Sequence, residues 1–220
     1  MEPELNELLE QAKSDPDAVG LVLIGSYASG TADEESDLDV LYVVRDGVAP
    51  PPRERRGRVE FVPTALDGLR NPPDWFKPAL AHARVLLDES GDVTAAIEAA
   101  QRVSREETAE LYDGYLNDLY RSLKAWRRGN ELAGRIEAGR SLRYLGELLF
   151  ALEGTRGPYP KDWPGKLGEL EPLVLEVART ADPTTQQELA RRVRALARDH
   201  EDVYAGWEGE IDRVLELDFE

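Results

Sequence analysis

Residues 21–40 read Leu-Val-Leu-Ile-Gly-Ser-Tyr-Ala-Ser-Gly-Thr-Ala-Asp-Glu-Glu-Ser-Asp-Leu-Asp-Val. The apolar run 21–24 predicts a strand that leads into Gly25, and a second apolar run follows Asp39. Side chains alternate along a strand, so Asp37 and Asp39 would point the same way, about 7 Å apart along the backbone. Two carboxylates on one face repel each other unless a cation lies between them. The spacing therefore predicts a site for Mg²⁺, which takes oxygen ligands and keeps room for substrate phosphates.

The dipeptide Gly25-Ser26 supplies the second part of this pattern. A glycine at the end of a strand lets backbone N–H groups come close to a ligand. A helix starting at Ser26 would direct its positive end toward a phosphate. Strand, phosphate-binding turn, helix and a strand with a carboxylate pair together predict an enzyme that handles phosphoryl groups.

These residues resemble the signature of the DNA polymerase β-type nucleotidyltransferase superfamily, in which Gly-Ser precedes a short helical segment and an Asp-x-Asp pair. The Ser-Asp-Leu-Asp form is most similar to the minimal and the antibiotic-modifying, aminoglycoside-type members. The resemblance implies that Asp37 and Asp39 share two Mg²⁺ ions and are catalytic. It also implies that Gly25, Ser26 and Ser36 bind the NTP, usually ATP. Many members carry a basic residue where this chain has Ser29.

The same family places a third catalytic carboxylate on a neighbouring strand, and Glu60 is the candidate. It interrupts a short run rich in β-forming residues, 57–62. A buried lone glutamate is costly, and a shared metal ion would remove that cost. The resemblance thus makes Glu60 a metal ligand, and it could also act as general base. An ordinary exposed strand residue remains the alternative interpretation.

Composition narrows the class of protein. The chain has 220 residues, 41% hydrophobic and 32% charged, which is typical of a soluble globular protein with one large or two small domains. No run is long enough for a membrane span, and the N-terminus lacks a signal-peptide pattern, so we expect a cytoplasmic location. With no cysteine and two histidines, any metal site must be carboxylate-based.

The net charge of −17 argues against a nucleic-acid substrate, because such enzymes need a basic track along the phosphate backbone. The largest basic cluster, 53–58, follows a proline-rich stretch and is interpreted as a solvated hairpin tip. An acidic protein suits a small, cationic acceptor, although acidity could equally serve solubility or salt adaptation.

The order of elements predicts an α+β fold: a small mixed sheet in a nucleotidyltransferase domain, 1–103, followed by an α-helical bundle domain, 104–220. In the first domain, the patterns predict helix 3–13, strand 18–24, helix 26–30, strands 38–44 and 58–63, edge strand 84–88 and helix 92–103. In the second, apolar residues recur at three-to-four spacing, which indicates long helices; the stripe with Ile136 and Leu142 is assigned to the core.

The helical half is similar in architecture to the second domain of kanamycin-type and streptomycin-type nucleotidyltransferases. There this domain closes over the active site and contacts the acceptor. The resemblance implies acceptor binding by Asp113 and Asn117 on the first long helix, although a solvated helix face explains their spacing as well. The candidates for the triphosphate are Arg140, Arg143, Tyr144 and Lys161.

A competing signal is the spacing of Arg194 and His200, which looks like the Arg-x(4–6)-His motif of the HEPN ribonucleases. His200 also falls in register with Leu196 and Val203 on an apolar stripe, and a histidine within the core is the favoured interpretation.

Three classes of function are consistent with these residues. The first is an enzyme that transfers an NMP, AMP from ATP, to a hydroxyl of a small molecule such as an aminoglycoside-like antibiotic, and releases pyrophosphate. The second is a protein-directed, AMP-transferring regulator or antitoxin, which requires a partner protein. The third, a non-catalytic nucleotide sensor, is disfavoured because all three expected acids are present.

Overall fold

The computed structural model describes residues 3–200, 203 and 210–219. The chain divides into two compact units, Met1–Arg102 and Val103–Glu220. The first holds a mixed five-stranded sheet with helices and the second is helical, so the predicted α+β fold class is confirmed. Along the described residues, no helix combines the length and apolar character that crossing a membrane requires.

The sheet has the strand order β3-β4-β2-β1-β5. Its strands are β1 (Ala18–Ile24), β2 (Leu38–Val44), β3 (Glu54–Arg56), β4 (Val59–Ala65) and β5 (Arg84–Asp88). The pair β2 and β4 is parallel, and the other neighbours are antiparallel. One row of paired residues crosses four strands: Ile24, Asp39, Glu60 and Arg55.

The two faces of the sheet bury different apolar sets, because side chains alternate along each strand. One face, with Val40 and Phe61, packs against helix α1 (Pro3–Ser14). The other, with Leu41 and Val43, packs against three short helices. These are α3 (Leu66–Arg70), α4 (Lys77–Leu80) and α5 (Asp92–Gln101); the five-residue helix α2 (Gly25–Ser29) follows β1.

The helical unit contains α6 (Arg105–Arg127), α7 (Glu131–Leu152), α8 (Glu171–Thr180), α9 (Pro183–Ala197) and α10 (Glu210–Leu215), with short 3₁₀ turns at Pro160–Asp162 and Gly168–Leu170. Ser104 starts α6 by accepting a hydrogen bond from the Glu107 amide. Aromatic rings lie over helical glycines: a Cβ on Gly114 would lie 2.7 Å from the Tyr144 ring. The helices therefore approach where a side chain is missing.

Several predicted elements are confirmed with the same bounds, namely the strands 18–24, 38–44 and 84–88. The predicted helix 92–103 ends at Gln101, and α3 and α4 were not predicted. The interpretation of 53–58 as a solvated hairpin tip agrees with the structure, since β3 and β4 form a hairpin here and all of these residues except Arg56 are exposed; the strand 54–56 and the ion pairs of its arginines were not predicted. Ile136, expected in the core, is 55% exposed.

Candidate functional site

Three carboxylates, Asp37, Asp39 and Glu60, lie at one end of one sheet face; we call them the acidic triad. Asp39 pairs with Glu60 across the parallel strands, and Asp37 precedes Asp39 by two residues and so shares its face. Farther along this face, Leu41 is fully buried beneath the short helices. The side chains of Asp37 and Glu60 are 35% and 30% exposed. The acidic triad thus lies beyond the part of this sheet face that the short helices bury.

Gly25 lies directly against the triad. Its φ of +68° belongs to the left-handed region, and a Cβ at this position would overlap the Asp39 carboxylate oxygen Oδ2. Only glycine allows the turn after β1 to pass this close to Asp39. Ser26, the next residue, is buried at the start of α2.

The loop that leads into β2 is held by the side chain of Arg58. Its Nη2 donates hydrogen bonds to the carbonyl oxygens of Glu34, at 3.0 Å, and Ser36, at 2.9 Å, and to the Tyr27 hydroxyl, at 3.1 Å. Its own carbonyl accepts from the Leu38 amide at 2.8 Å. Arg58 therefore fixes the backbone on both sides of Asp37.

Ser36, which the sequence assigned to the nucleotide, closes a turn in this loop. Its hydroxyl donates to Asp33 Oδ1 at 2.8 Å and accepts from the Asp33 amide at 2.9 Å. The hydrogen bonds from the Ser36 hydroxyl and the Glu35 amide lower the pKa of Asp33. Nucleotide binding by Gly25, Ser26 and Ser36 remains a prediction.

Two arginines from the β3 segment pair with the acidic triad. Arg53 forms an ion pair with Glu60, and Arg55 forms one with Asp37. The arginine side chains are 64% and 63% exposed. Ion pairs of this exposure contribute about 0–1 kcal/mol to stability, so they can open at little cost.

Sequence reasoning missed these pairs, although the sequence held a signal for them. Gly57 has a φ of +58° and lies in the turn between β3 and β4. A glycine between two alternating runs is typical of a hairpin. The hairpin tip was predicted, but extending strand alternation through residues 53–56 would also have placed Arg53 and Arg55 on one face of the sheet and Glu54 and Arg56 on the other.

The residues fit a divalent cation in ligand chemistry. All three members of the triad offer carboxylate oxygens, and the missing Cβ of Gly25 lets the backbone come close to the Asp39 carboxylate. Within residues 3–200, 203 and 210–219, no three His, Asp or Glu side chains already converge as a metal-binding group. Because Asp37 and Glu60 hold arginines, those ion pairs must open before the triad can bind a metal ion.

In the helical unit, two of the cations assigned to the triphosphate are paired locally. Arg140 lies 3.4 Å from Asp118 and 3.5 Å from Glu137, and Arg143 lies 3.4 Å from Glu147. Asp118 is buried, and no sequence signal marked it.

The other assigned residues of this unit lie at its surface to different degrees. Tyr144 is 36% exposed and covers Gly114, while Lys161 is exposed. Of the expected acceptor contacts, Asp113 is exposed and Asn117 is half-buried. The roles assigned to these residues remain predictions.

The histidine of the competing Arg-x(4–6)-His motif, which follows α9, does not lie in the core. His200 is exposed, so that interpretation is wrong. Arg194 pairs with Asp212 of α10. Neither residue therefore joins the apolar core.

Residues 5–73 match the family model of the nucleotidyltransferase domain. The matched segment contains Gly25, the acidic triad and the β3 arginines. This match indicates a transferase that moves an NMP, and such domains typically use an NTP and divalent metal ions.

Among solved structures, the chain is similar to a nucleotidyltransferase-like protein from Exiguobacterium sibiricum 255-15. The two share 16% sequence identity, the match covers 95% of this chain and 78% of that chain, and the TM-score is 0.49. No curated protein matches the sequence.

Proposed function

We propose that this protein is a Mg²⁺-dependent nucleotidyltransferase that transfers AMP from ATP to a hydroxyl of a small molecule. The observation that carries the proposal is the placement of Asp37, Asp39 and Glu60 at one end of one sheet face, with Gly25 against Asp39. The match of residues 5–73 to the nucleotidyltransferase domain supports the same chemistry.

Each residue has a defined role in this proposal. Asp37, Asp39 and Glu60 would hold the divalent cations, which would supply charge neutralisation of the triphosphate and acidification of the acceptor hydroxyl. Glu60, paired in register with Asp39, accepts the proton of that hydroxyl. The acceptor oxygen forms a bond to the α-phosphorus, the bond from this phosphorus to the bridging oxygen breaks, and pyrophosphate leaves. Backbone amides at Gly25 and Ser26 contact the departing phosphates.

The net charge of −17 supports a small, cationic acceptor such as an aminoglycoside-like antibiotic. In the helical unit, Asp113 is exposed and Asn117 half-buried on α6, and both are proposed acceptor contacts. Arg143 and Lys161 are exposed cations proposed for the triphosphate, whereas Arg140 would first have to leave Asp118.

The test is pyrophosphate release from Mg·ATP with a panel of aminoglycosides and other hydroxyl-bearing antibiotics. Asp39→Asn should reduce the rate at least about a thousand-fold, roughly 4 kcal/mol of barrier, because the metal loses a charged ligand. The matched control is Asp46→Asn, since Asp46 lies beyond the opposite end of β2 and pairs with Arg70 at 3.0 Å. This variant should release pyrophosphate like the wild type.

Two results would contradict the proposal. Undiminished pyrophosphate release by Asp39→Asn would remove the acidic triad from the chemistry. Transfer of AMP to a protein or an RNA, with no reaction on any small molecule, would replace the small-molecule acceptor by the regulatory alternative.

A further inference from the structure

The ion pairs on the acidic triad support an inference that rests on the proposed function. We propose that Arg53 and Arg55 are exchangeable phosphate-binding residues. Without nucleotide they neutralise Glu60 and Asp37, and when a metal-bound nucleoside triphosphate enters they pass to its phosphate oxygens. The carboxylates are thereby released to the metal ion in the same event.

The strand geometry places these two arginines together on one face. Arg55 lies opposite Glu60 in the antiparallel register of β3 and β4, and Arg53 precedes it by two residues. Arg56 belongs to the other face, where its guanidinium lies 5.2 Å from the centre of the Phe61 ring and donates to Gln11 at 2.8 Å. The alternation along residues 53–56 thus divides three arginines into two that reach the triad, Arg53 and Arg55, and one that does not, Arg56.

Exposure makes the exchange possible. The guanidinium side of each pair is about two-thirds exposed and the carboxylate side about one-third. Each arginine can therefore swing outward without disturbing the core. Arg55 also donates from Nε to the Gly57 carbonyl at 3.3 Å, which keeps its stem near the triad. Arg58, by contrast, is bound to loop carbonyls and is not part of the exchange.

Charge gives the exchange a direction. A divalent cation that arrives alone must displace two guanidinium groups from its ligands. A metal-bound triphosphate offers those groups new anionic partners, and guanidinium binds phosphate oxygens in a paired geometry. Helix α2 has no basic residue in its last turn, where the Ser29 hydroxyl donates to the Ser26 carbonyl at 3.1 Å. The arginines paired with the acidic triad come instead from the β3 segment. Metal and nucleotide should therefore bind with positive coupling.

The experiment compares full-length wild type with the double variant Arg53→Gln/Arg55→Gln. Affinity for Mn²⁺ alone is measured by electron paramagnetic resonance. Affinity for Mg²⁺ with a non-hydrolysable ATP analogue is measured by calorimetry, without acceptor. The exchange predicts opposite shifts: Mn²⁺ alone should bind about ten-fold more tightly to the double variant, and the magnesium–nucleotide complex about ten-fold more weakly. Arg56→Gln should change neither affinity.

The other outcomes overturn the inference in distinguishable ways. If both affinities increase in the double variant, the arginines only block the site and do not bind phosphate. If neither changes while the wild type binds the nucleotide, the pairs are surface contacts without a role in binding. If the wild type binds no magnesium–nucleotide complex of any base, the proposed function fails and the exchange fails with it. Unchanged melting temperatures would show that every variant is folded.

Discussion

Two ion pairs between aspartate and arginine, Asp118 with Arg140 in the helical unit and Asp37 with Arg55 in the sheet unit, differ in the burial of the aspartate. In the helical unit, the Asp118 side chain is 4% exposed, with Arg140 at 3.4 Å and Arg121 at 3.7 Å. In the sheet unit, the Asp37 side chain is 35% exposed against Arg55. A buried carboxylate that loses its partner is left charged in a poor solvent for charge, whereas an exposed one is rehydrated. Loss of Arg140 should therefore cost stability, because Asp118 is buried, whereas the more exposed pair of Asp37 and Arg55 can open for a ligand.

Removing one arginine from each pair tests this difference most strongly. Arg140→Met should lower the free energy of unfolding by about 2–3 kcal/mol, because Asp118 stays buried and, among the described residues, keeps Arg121 as its one ion-pair partner. Arg55→Met should lower it by about 0–1 kcal/mol. Urea denaturation followed by tryptophan fluorescence measures both, since Trp75 belongs to the sheet unit and Trp126 and Trp163 belong to the helical unit. Equal losses would remove the distinction between the two pairs.

Arg143→Met is the matched control for Arg140→Met, since Arg143 lies on the same helix in an exposed pair with Glu147. It should change stability by no more than about 0.5 kcal/mol. Nucleotide affinity separates structure from binding at these positions. If Arg140→Met weakens nucleotide binding and leaves stability unchanged, then Arg140 is a ligand of the triphosphate rather than a support for Asp118.

A smaller effect is expected from Gly25→Ala, with Gly30→Ala as its control. Both glycines have positive φ, +68° and +76°, so either alanine should cost about 1–2 kcal/mol of stability. Only the methyl group at position 25 overlaps Asp39; position 30 has no heavy atom within 4 Å of the added carbon. Gly25→Ala should therefore weaken binding of the magnesium–nucleotide complex at least about ten-fold, equal to 1.4 kcal/mol, and Gly30→Ala should not.

Ser26→Ala removes one hydroxyl and should weaken that binding less than Gly25→Ala does. Calorimetric titration at one salt concentration measures all three variants. Equal nucleotide affinity for Gly25→Ala and Gly30→Ala would mean that the turn after β1 does not border the nucleotide site. The acidic triad would then lack the neighbouring phosphate contact that the proposed function needs.

What the sequence predicted well depends on short-range patterns. The bounds of β1 and β2 follow from two apolar runs, and the shared face of Asp37 and Asp39 follows from alternation. Glu60 was found only through the family resemblance, and its pairing with Asp39 joins strands 21 residues apart in sequence. The spacing of apolar and polar residues within a single strand does not indicate which other strand it pairs with.

What the sequence did not predict depends on contacts between distant segments. The pairs of Arg53 and Arg55 require both the hairpin of β3 with β4 and the parallel pairing of β4 with β2. Ile136 was wrongly assigned to the core and Asp118 was not singled out for one reason: helical periodicity identifies the faces of a helix, but not which face the rest of the bundle covers. The burial of Asp118 and the exposure of Ile136 both depend on which helix faces the neighbouring helices cover.

The smallest expected effect comes from a third polar contact, the hydrogen bond between Tyr42 and Asp15. The Tyr42 hydroxyl donates to Asp15 Oδ2 at 2.7 Å, and Tyr42 is buried whereas Asp15 is half-buried. This hydrogen bond, with those of the Asp17 and Ala18 amides, lowers the pKa of Asp15 below its ordinary value of 3.8. A lowered pKa stabilises the folded state fully above that ordinary value, and the stabilisation is lost as pH falls through the lowered pKa.

Tyr42→Phe should therefore cost about 0.5–1 kcal/mol at pH 7, less than Arg140→Met. The difference between wild type and variant should shrink below pH 3.8, once Asp15 is protonated in both. Urea denaturation at pH 7 and at several values below pH 4 measures this, and Asp15→Asn with the double variant isolates the pair in a mutant cycle. A difference that stays constant with pH would show that the hydroxyl contributes by packing alone. Loss of the difference in acid would show that the Tyr42 hydroxyl stabilises the folded state through the ionised Asp15 carboxylate.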